Sequence, residues 1–164
     1  EVTNMNDQIP DEARQYIGKT KTREYDISKK DIRRFAQAIG EMDPIYYDDE
    51  YAKTTKFESI VAPPLFCHSF SFEDVPPDRL SSDGSPIETD IPLPAKRLVG
   101  GGSIFENYIR LRPGDIVIVK TEVKDIYTKQ GKSGILYFIV IETIFFNQNK
   151  KLVAKETSTF IKRI

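Results

Sequence analysis

The chain is poor in the residues that most often do chemistry. Its 164 residues hold one cysteine, Cys67, one histidine, His68, and no tryptophan. A single cysteine excludes an internal disulfide and any zinc site built from thiolates, and it suits a reducing compartment, so a cytoplasmic location is expected and no metal is. Charge of one sign is also missing. The net charge is -1, which leaves no broad basic field, so nucleic acid is not an expected partner, although local Lys or Arg can still meet a phosphate. No run approaches the roughly 18 apolar residues that announce a membrane span. The opening Glu1-Val2-Thr3-Asn4 has neither the basic nor the apolar region of a signal peptide, and without a Met it reads as a processed or trimmed start. Internal repeats and low-complexity tracts are absent as well.

What is present is a chain with 39% hydrophobic and 30% charged residues, the balance of one soluble globular domain with a sizeable core. Residues 1–20 are polar and mixed and read as an N-terminal extension with a short helix at 12–16. The domain proper is expected over 21–164. Residues 21–27 suit a short strand. Ser28 then caps a helix, with Asp31 completing a capping-box pair. Ile32, Phe35, Ala36 and Ile39 make one apolar stripe on it, and Gly40 stands where a left-handed residue ends a helix. Asp43-Pro44 begins a turn, and 48–54 suits another short helix. Pro63-Pro64 open an apolar segment, and prolines fit a first helical turn, so 65–70 is expected to be a helix. Residues 73–95 hold five of the ten prolines and form a loop longer than the usual limit of about 12–15 residues.

From Arg97 the apolar period changes from helical to two. Strands are expected at 104–111, 116–127, 135–146 and 152–161, with turns at 113–115, 130–134 and 147–150. Residues 135–146 are apolar on both faces, as in a central strand covered on two sides. Helices followed by a run of antiparallel strands give an α+β domain with its helices on one face of the sheet. A long curled sheet of this kind can wrap one apolar helix, for which 65–72 is the candidate. Its free edge or far face then needs a second copy or a partner subunit.

Three segments carry a resemblance. They are Ile32-Arg33-Arg34-Phe35-Ala36-Gln37-Ala38-Ile39-Gly40 leading into Asp43-Pro44-Ile45-Tyr46; Ile60-Val61-Ala62-Pro63-Pro64-Leu65-Phe66; and Arg112-Pro113-Gly114-Asp115 with the strands after it. In their order and spacing, over roughly residues 20 to 163, they resemble the N-terminal, FAS1-like dehydratase domain of the MaoC-like superfamily. The resemblance implies a hot-dog fold: a long antiparallel sheet curled around a central helix. It implies hydration of trans-2-enoyl thioesters or dehydration of 3-hydroxyacyl thioesters, on CoA or on an acyl carrier protein, with no further cofactor. It also implies a homodimer, or a heterodimer with a catalytic MaoC-like subunit.

Catalytic members of that family place an Asp directly after a Gly, then Asn-Pro, then a His five residues past the Asp. Water must lose a proton as it attacks the β-carbon while the α-carbon gains one, and a carboxylate with an imidazole can do both near neutral pH. Here the two positions fall on Glu41 and Tyr46. Glu41 keeps a carboxylate one methylene further out, and such misplacement is costly. A tyrosine, with a reference pKa of about 10, is a poor proton exchanger at neutral pH. His68 is the chain's one histidine, so none is left to replace the missing one. The family also holds the thioester oxygen with N–H groups at the start of the central helix. Pro63 and Pro64 have none, which leaves Leu65 and Phe66.

Each of these residues also has a plainer role. Glu41 suits a solvated position after a helix end, Tyr46 a packed turn, and Tyr47 and Tyr51 packing. His68 suits a hydrogen-bonded place on an apolar helix as well as a place in an acyl channel. Cys67 and His68, as helix neighbours, point about 100° apart and make no dyad. Gly100-Gly101-Gly102 lacks the context of a phosphate loop and suits close backbone approach before a strand. Lys96, Arg97, Arg110 and Arg112 suit either CoA phosphates or ordinary surface charge. The expected substrate-binding set is therefore Pro64, Leu65, Phe66, His68 and Gly101, with Glu41 and Tyr46 at the degenerate catalytic positions. The expected function is the non-catalytic, substrate-binding and dimerising half of a hydratase/dehydratase. The alternatives are a self-sufficient hydratase using Glu41, a thioesterase, and a non-enzymatic acyl-CoA-binding module.

Overall fold

The computed structural model describes residues 8–80 and 91–163. Of the expected N-terminal extension, 1–7 lie outside these, as does the middle of the expected 73–95 loop. The chain runs from a one-turn helix α1, Asp11–Arg14, through strand β1, Thr20–Asp26, into helices α2, Lys29–Ala38, and α3, Asp49–Thr54, before four long strands. These are β2, Arg97–Asn107; β3, Ile116–Gly131; β4, Gly134–Asn147; and β5, Leu152–Arg163. They form one antiparallel sheet in the order β1-β3-β4-β5-β2, which puts β4 in the middle.

The signals around α2 act as expected. Ser28 Oγ accepts from Asp31 N, and Asp31 Oδ2 accepts in return from the Ser28 backbone N–H. Ile32 and Ala36 are fully buried and Phe35 packs beside them, while Ile39, the last member of the stripe, stays exposed. Gly40 has φ +72. Its N–H reaches Gln37 O, and Glu41 N–H reaches Ala36 O at 2.9 Å, which is the paired closure of a Schellman motif.

Other expectations shift. The helix expected at 65–70 is a single 3-10 segment, Phe66–Phe70, opened by Phe66 N–H on Pro63 O. So few residues between two prolines and a loop cannot repay the nucleation of an α-helix. Phe66 and Cys67 still face the core, so the sheet curls around one short turn. The strand expected at 104–111 begins at Arg97 and ends at Asn107, and the glycine run lies inside it. Part of the 73–95 loop is ordered packing. A 3-10 turn spans Pro77–Arg79, and Ile91, Leu93 and Ala95 are buried, joined by i→i+2 bonds of 2.8 and 2.7 Å across Pro92 and Pro94.

The inner face of the sheet carries two apolar clusters. One joins Val117, Val119, Phe145 and Ala154 to α2 and Phe66. The other joins Ile126, Ile139 and Phe160 to Ile91 and to Ile9 and Ala13 from the first twenty residues. Phe145 is fully buried, and truncation to Ala would cost about 3–5 kcal/mol. The expected cover on both faces of β4 is uneven. Tyr137, Ile139, Thr143 and Phe145 are buried, but Phe138, Val140, Ile144 and Phe146 on the outer face are only half-buried. Among the described residues no helix is long and apolar enough to cross a membrane.

Candidate functional site

The Schellman closure of α2 fixes where Glu41 begins. Its carbonyl accepts from the Tyr47 hydroxyl at 2.6 Å, and its Oε1 is 3.3 Å from the Asp43 N–H. Asp43 in turn caps the short 3-10 turn Pro44–Tyr46 by accepting from Ile45 N–H at 3.0 Å. The Glu41 side chain is thus drawn back onto its own loop. Tyr46 is buried, at 8% exposure. Burial raises its phenol above the ordinary value of 10.0, against the pull of the neighbouring Arg110 guanidinium. Arg110 also donates to Ala62 O at 3.0 Å, tying the segment before Pro63 to the connection between β2 and β3. Tyr47 is half-buried, whereas Tyr51, expected to pack, is exposed.

At the start of the 3-10 segment, Pro64 and Leu65 are exposed and Phe66 is buried. Phe66 N–H is already engaged by Pro63 O, so of the two expected donors Leu65 N–H is the one left for a ligand. Gly101 sits in a bulge of β2 between Gly100 and Gly102. A Cβ there would stand 3.0 Å from Thr159 O, so the close approach this glycine permits is to β5 of its own chain. Cys67 is buried, which pushes its thiol up to about 12, and it packs without a polar role.

His68 has a partner that the sequence reading missed. Its Nδ1 lies 3.0 and 3.1 Å from the two carboxylate oxygens of Glu156 on β5. The Glu156 side chain is 2% exposed and the His68 side chain 46%. Ser71 Oγ donates to Glu156 Oε2 at 2.5 Å and Ser158 Oγ donates to Oε1 at 2.8 Å. A buried carboxylate needs such compensation. The signal was present: along β5 the inward-facing parity runs Ala154, Glu156, Ser158, Phe160, and a charge on an inward position calls for partners.

Beside this cluster, between the inner face of the sheet and the 71–75 segment, lies a cavity of about 410 Å³. Phe72, Val75, Ile91, Val123, Ile141 and Phe160 give it a mainly apolar wall. Lys21 and Glu73, exposed and paired at 2.9 Å, mark its open side, and the pairing holds the Glu73 carboxyl below its ordinary value. Arg23, also in the wall, donates through Nη2 to the Phe70 and Ser71 carbonyls at 3.3 Å, fastening the end of the 3-10 segment to β1. Its volume and lining suit a small apolar ligand. Glu41 and Tyr46 do not line the cavity, nor do Pro64, Leu65, Phe66, His68 or Gly101. Ser71 and Ser158 do, and they connect it to Glu156 and through Glu156 to His68.

Known proteins share this architecture. The chain is 31% identical to a UPF0336 protein of Streptomyces coelicolor over 111 residues, 67% of this chain and 69% of that one. It is 30% identical to a UPF0336 protein of Thermobifida fusca over 110 residues, 65% of this chain and 66% of that one. The match thus spans about two thirds of the length of these relatives. Among solved structures, the ChsH1-ChsH2 complex of Mycobacterium tuberculosis has a TM-score of 0.69 at 22% identity, covering 88% of this chain and 83% of that one. The HadBC (3R)-hydroxyacyl-ACP dehydratase complex of the same organism has a TM-score of 0.67 at 16% identity, covering 89% and 96%. An (R)-hydratase of A. caviae involved in PHA biosynthesis has 0.65 at 17%, covering 90% and 96%. At these identities the structures establish the hot-dog fold. The model of the FAS1-like dehydratase domain region matches residues 15–156, and this chain, with the hot-dog fold of the MaoC-like dehydratases, belongs to that family.

Proposed function

We propose that this protein is the substrate-binding, non-catalytic half of a dimeric hydratase acting on enoyl thioesters, or of the reverse dehydratase acting on 3-hydroxyacyl thioesters. The observation that carries the reading is a separation. A mainly apolar cavity of about 410 Å³ is open beneath the sheet, while the two proton-exchange positions hold Glu41, drawn onto its own loop, and Tyr46, buried and kept protonated. A chain that can hold an acyl group but cannot move protons at the reacting carbons needs a second subunit for the chemistry.

The edge strand β2 supports pairing. Among the described residues it pairs with β5 alone, which leaves the other side of its backbone without a strand partner, and Val99 and Ile104 on it are 40% and 70% exposed. Such an edge is a template for a second chain, either a copy of this one or a catalytic hot-dog subunit. Two structures of this fold are complexes of unlike subunits by name. The acyl group would arrive on CoA or on a carrier protein. Lys96 and Arg97 at the start of β2 are exposed cations able to meet its phosphates. The buried cysteine suits a reducing cytoplasm.

The test is hydration of crotonyl-CoA, followed by loss of the enoyl absorbance. The purified chain alone should show no turnover. The chain co-purified with a hot-dog subunit carrying an intact Asp/His pair should be active, and a Glu41→Gln substitution should leave that activity unchanged. Vigorous hydration by the chain alone, abolished by Glu41→Gln, would overturn the proposal.

A further inference from the structure

The inner face of the sheet is not apolar from end to end. Thr121 on β3 stands opposite Thr143 on β4, and Thr143 opposite Glu156 on β5. One step along, Ser158 on β5 stands opposite Ser103 on β2. This polar band crosses four strands and falls between the two apolar clusters. Polar groups in such a place destabilise the fold unless each finds a partner.

The partners of Glu156 fix the direction of the two serine protons that point at it. With His68, Ser71 and Ser158 all directed at its two oxygens, Glu156 acts as an acceptor only. A serine hydroxyl has one proton, and Ser71 and Ser158 both direct theirs at Glu156. Ser103 Oγ lies 2.7 Å from Ser158 Oγ, so Ser103 is the donor of that pair. What Ser71 and Ser158 present to the cavity they line is therefore oxygen lone pairs. Thr121 and Thr143 line it too. Their hydroxyls are 3.5 Å apart, at the outer limit of a hydrogen bond, and remain open to a ligand.

We propose that the cavity selects an acyl chain carrying a hydroxyl group, whose O–H donates to Ser71 or Ser158, over the same chain saturated at that carbon. Glu41 and Tyr46 do not line the cavity, so the hydroxyl seated there is distinct from one at the reacting carbons. The buried Glu156 is the positioning residue: it turns both serines into acceptors, and His68 lies against it from outside the cavity. This inference rests on the reading of the cavity as the acyl site.

The experiment is calorimetric titration of the chain, in the oligomeric form in which it purifies, with medium-chain acyl-CoA thioesters of one length. These are saturated, hydroxylated or oxo-substituted at one carbon, and that carbon is walked along the chain. At one position the hydroxylated thioester should bind about tenfold tighter than the saturated one, the equivalent of one well-placed hydrogen bond. A Ser71→Ala, Ser158→Ala double variant should level the two. Glu156→Gln, whose amide donates to a serine and frees a hydroxyl proton to face the cavity, should shift the preference towards the oxo chain. A role in stability alone would not produce that shift. Equal binding of the hydroxylated and saturated chains at every position, with binding still lost on filling the cavity by Ile141→Trp, overturns the donor subsite and leaves the cavity reading standing. Binding that Ile141→Trp does not touch overturns both. The pantetheine arm of CoA also carries O–H and N–H donors. If the double serine variant weakens CoA alone as much as hydroxyacyl-CoA, the donor belongs to that arm and the acyl-hydroxyl proposal falls.

Discussion

Replacing Glu156 should cost more stability than replacing any of its partners, and the order of the costs follows from exposure. The Glu156 side chain is 2% exposed, accepts from Ser71 and Ser158, and lies 3.0 Å from His68 Nδ1. A hydrogen bond to a charged group contributes about 1.5–3 kcal/mol, and an abandoned buried donor costs about 1–3 kcal/mol. The His68 side chain is 46% exposed, so its bond is screened by water and its imidazole can re-solvate. The two hydroxyls are the larger share. Glu156→Ala, which removes the acceptor and opens a void, should then cost roughly 3–5 kcal/mol. Glu156→Gln keeps the volume and one acceptor oxygen, and the serine rotors can turn to meet its amide, so about 1–3 kcal/mol is expected. His68→Ala leaves Glu156 with both serine donors and should cost no more than about 1 kcal/mol. Urea unfolding at neutral pH gives the three midpoints, at one protein concentration because assembly shifts apparent stability. A His68→Ala loss equal to or greater than that of Glu156→Ala would refute the reasoning. It would mean that the carboxylate is a dispensable companion of a structural histidine.

Gly101→Ala should weaken the β2–β5 edge by about 1–3 kcal/mol as an overpacked site does, because its Cβ would meet Thr159 O at 3.0 Å. Gly100→Ala, with nothing within 4 Å, should be near neutral. Equal unfolding midpoints for the pair would contradict that placement of the bulge. Ser28→Ala should cost about 1 kcal/mol through the lost N-cap. The Ser28 hydroxyl is also the main cause holding Asp31 below its ordinary value of 3.8. A depressed carboxyl stabilises the fold above its unfolded value and loses that contribution as pH falls through the folded one, so the variant should show a shallower acid limb below about pH 4. Unfolding curves from neutral pH down to pH 2 that stay parallel would count against the coupling. Cys67, with its thiol pushed up to about 12, should resist a disulfide reagent at pH 8 in the native protein and react fully in urea. Rapid native labelling would show that the core opens there.

The elements that were legible in the sequence are those whose signals are local. Ser28 with Asp31, the Ile32–Phe35–Ala36 stripe and Gly40 specify one helix and its two ends with side chains inside a thirteen-residue window. The period-two pattern from Arg97 onward gave the long strands and the central place of β4. The segment after Pro63-Pro64 was harder, because apolar composition is the same for an α-helix and a 3-10 turn, and only the room between flanking elements decides. Ile91, Leu93 and Ala95 were hidden by the prolines between them. Proline marks a break in regular structure, but it also locks the alternating turns that send those three side chains inward.

The candidate site was legible only in its departures. Gly40-Glu41 and Tyr46 stand out because the Asp/His spacing of the catalytic members falls on other residue types there, and in the structure the carboxylate folds back on its loop and the phenol is buried. The cavity and the Glu156 cluster are products of registry instead. Thr121, Thr143, Glu156, Ser158 and Ser103 are scattered over 56 positions of sequence and become one band only when four strands align. His68 reaches that band from 88 residues away. A reading confined to the chain weighs His68 alone, as a lone imidazole on an apolar segment, and cannot see that its partner is an anion sealed in the sheet. That partner changes its meaning. An isolated core histidine would be replaceable by any apolar residue of similar size. A histidine half in solvent beside a buried carboxylate is the outer end of a cluster: it can be lost at little cost while the two serines keep their bonds, whereas the carboxylate cannot be lost without stranding both serine donors.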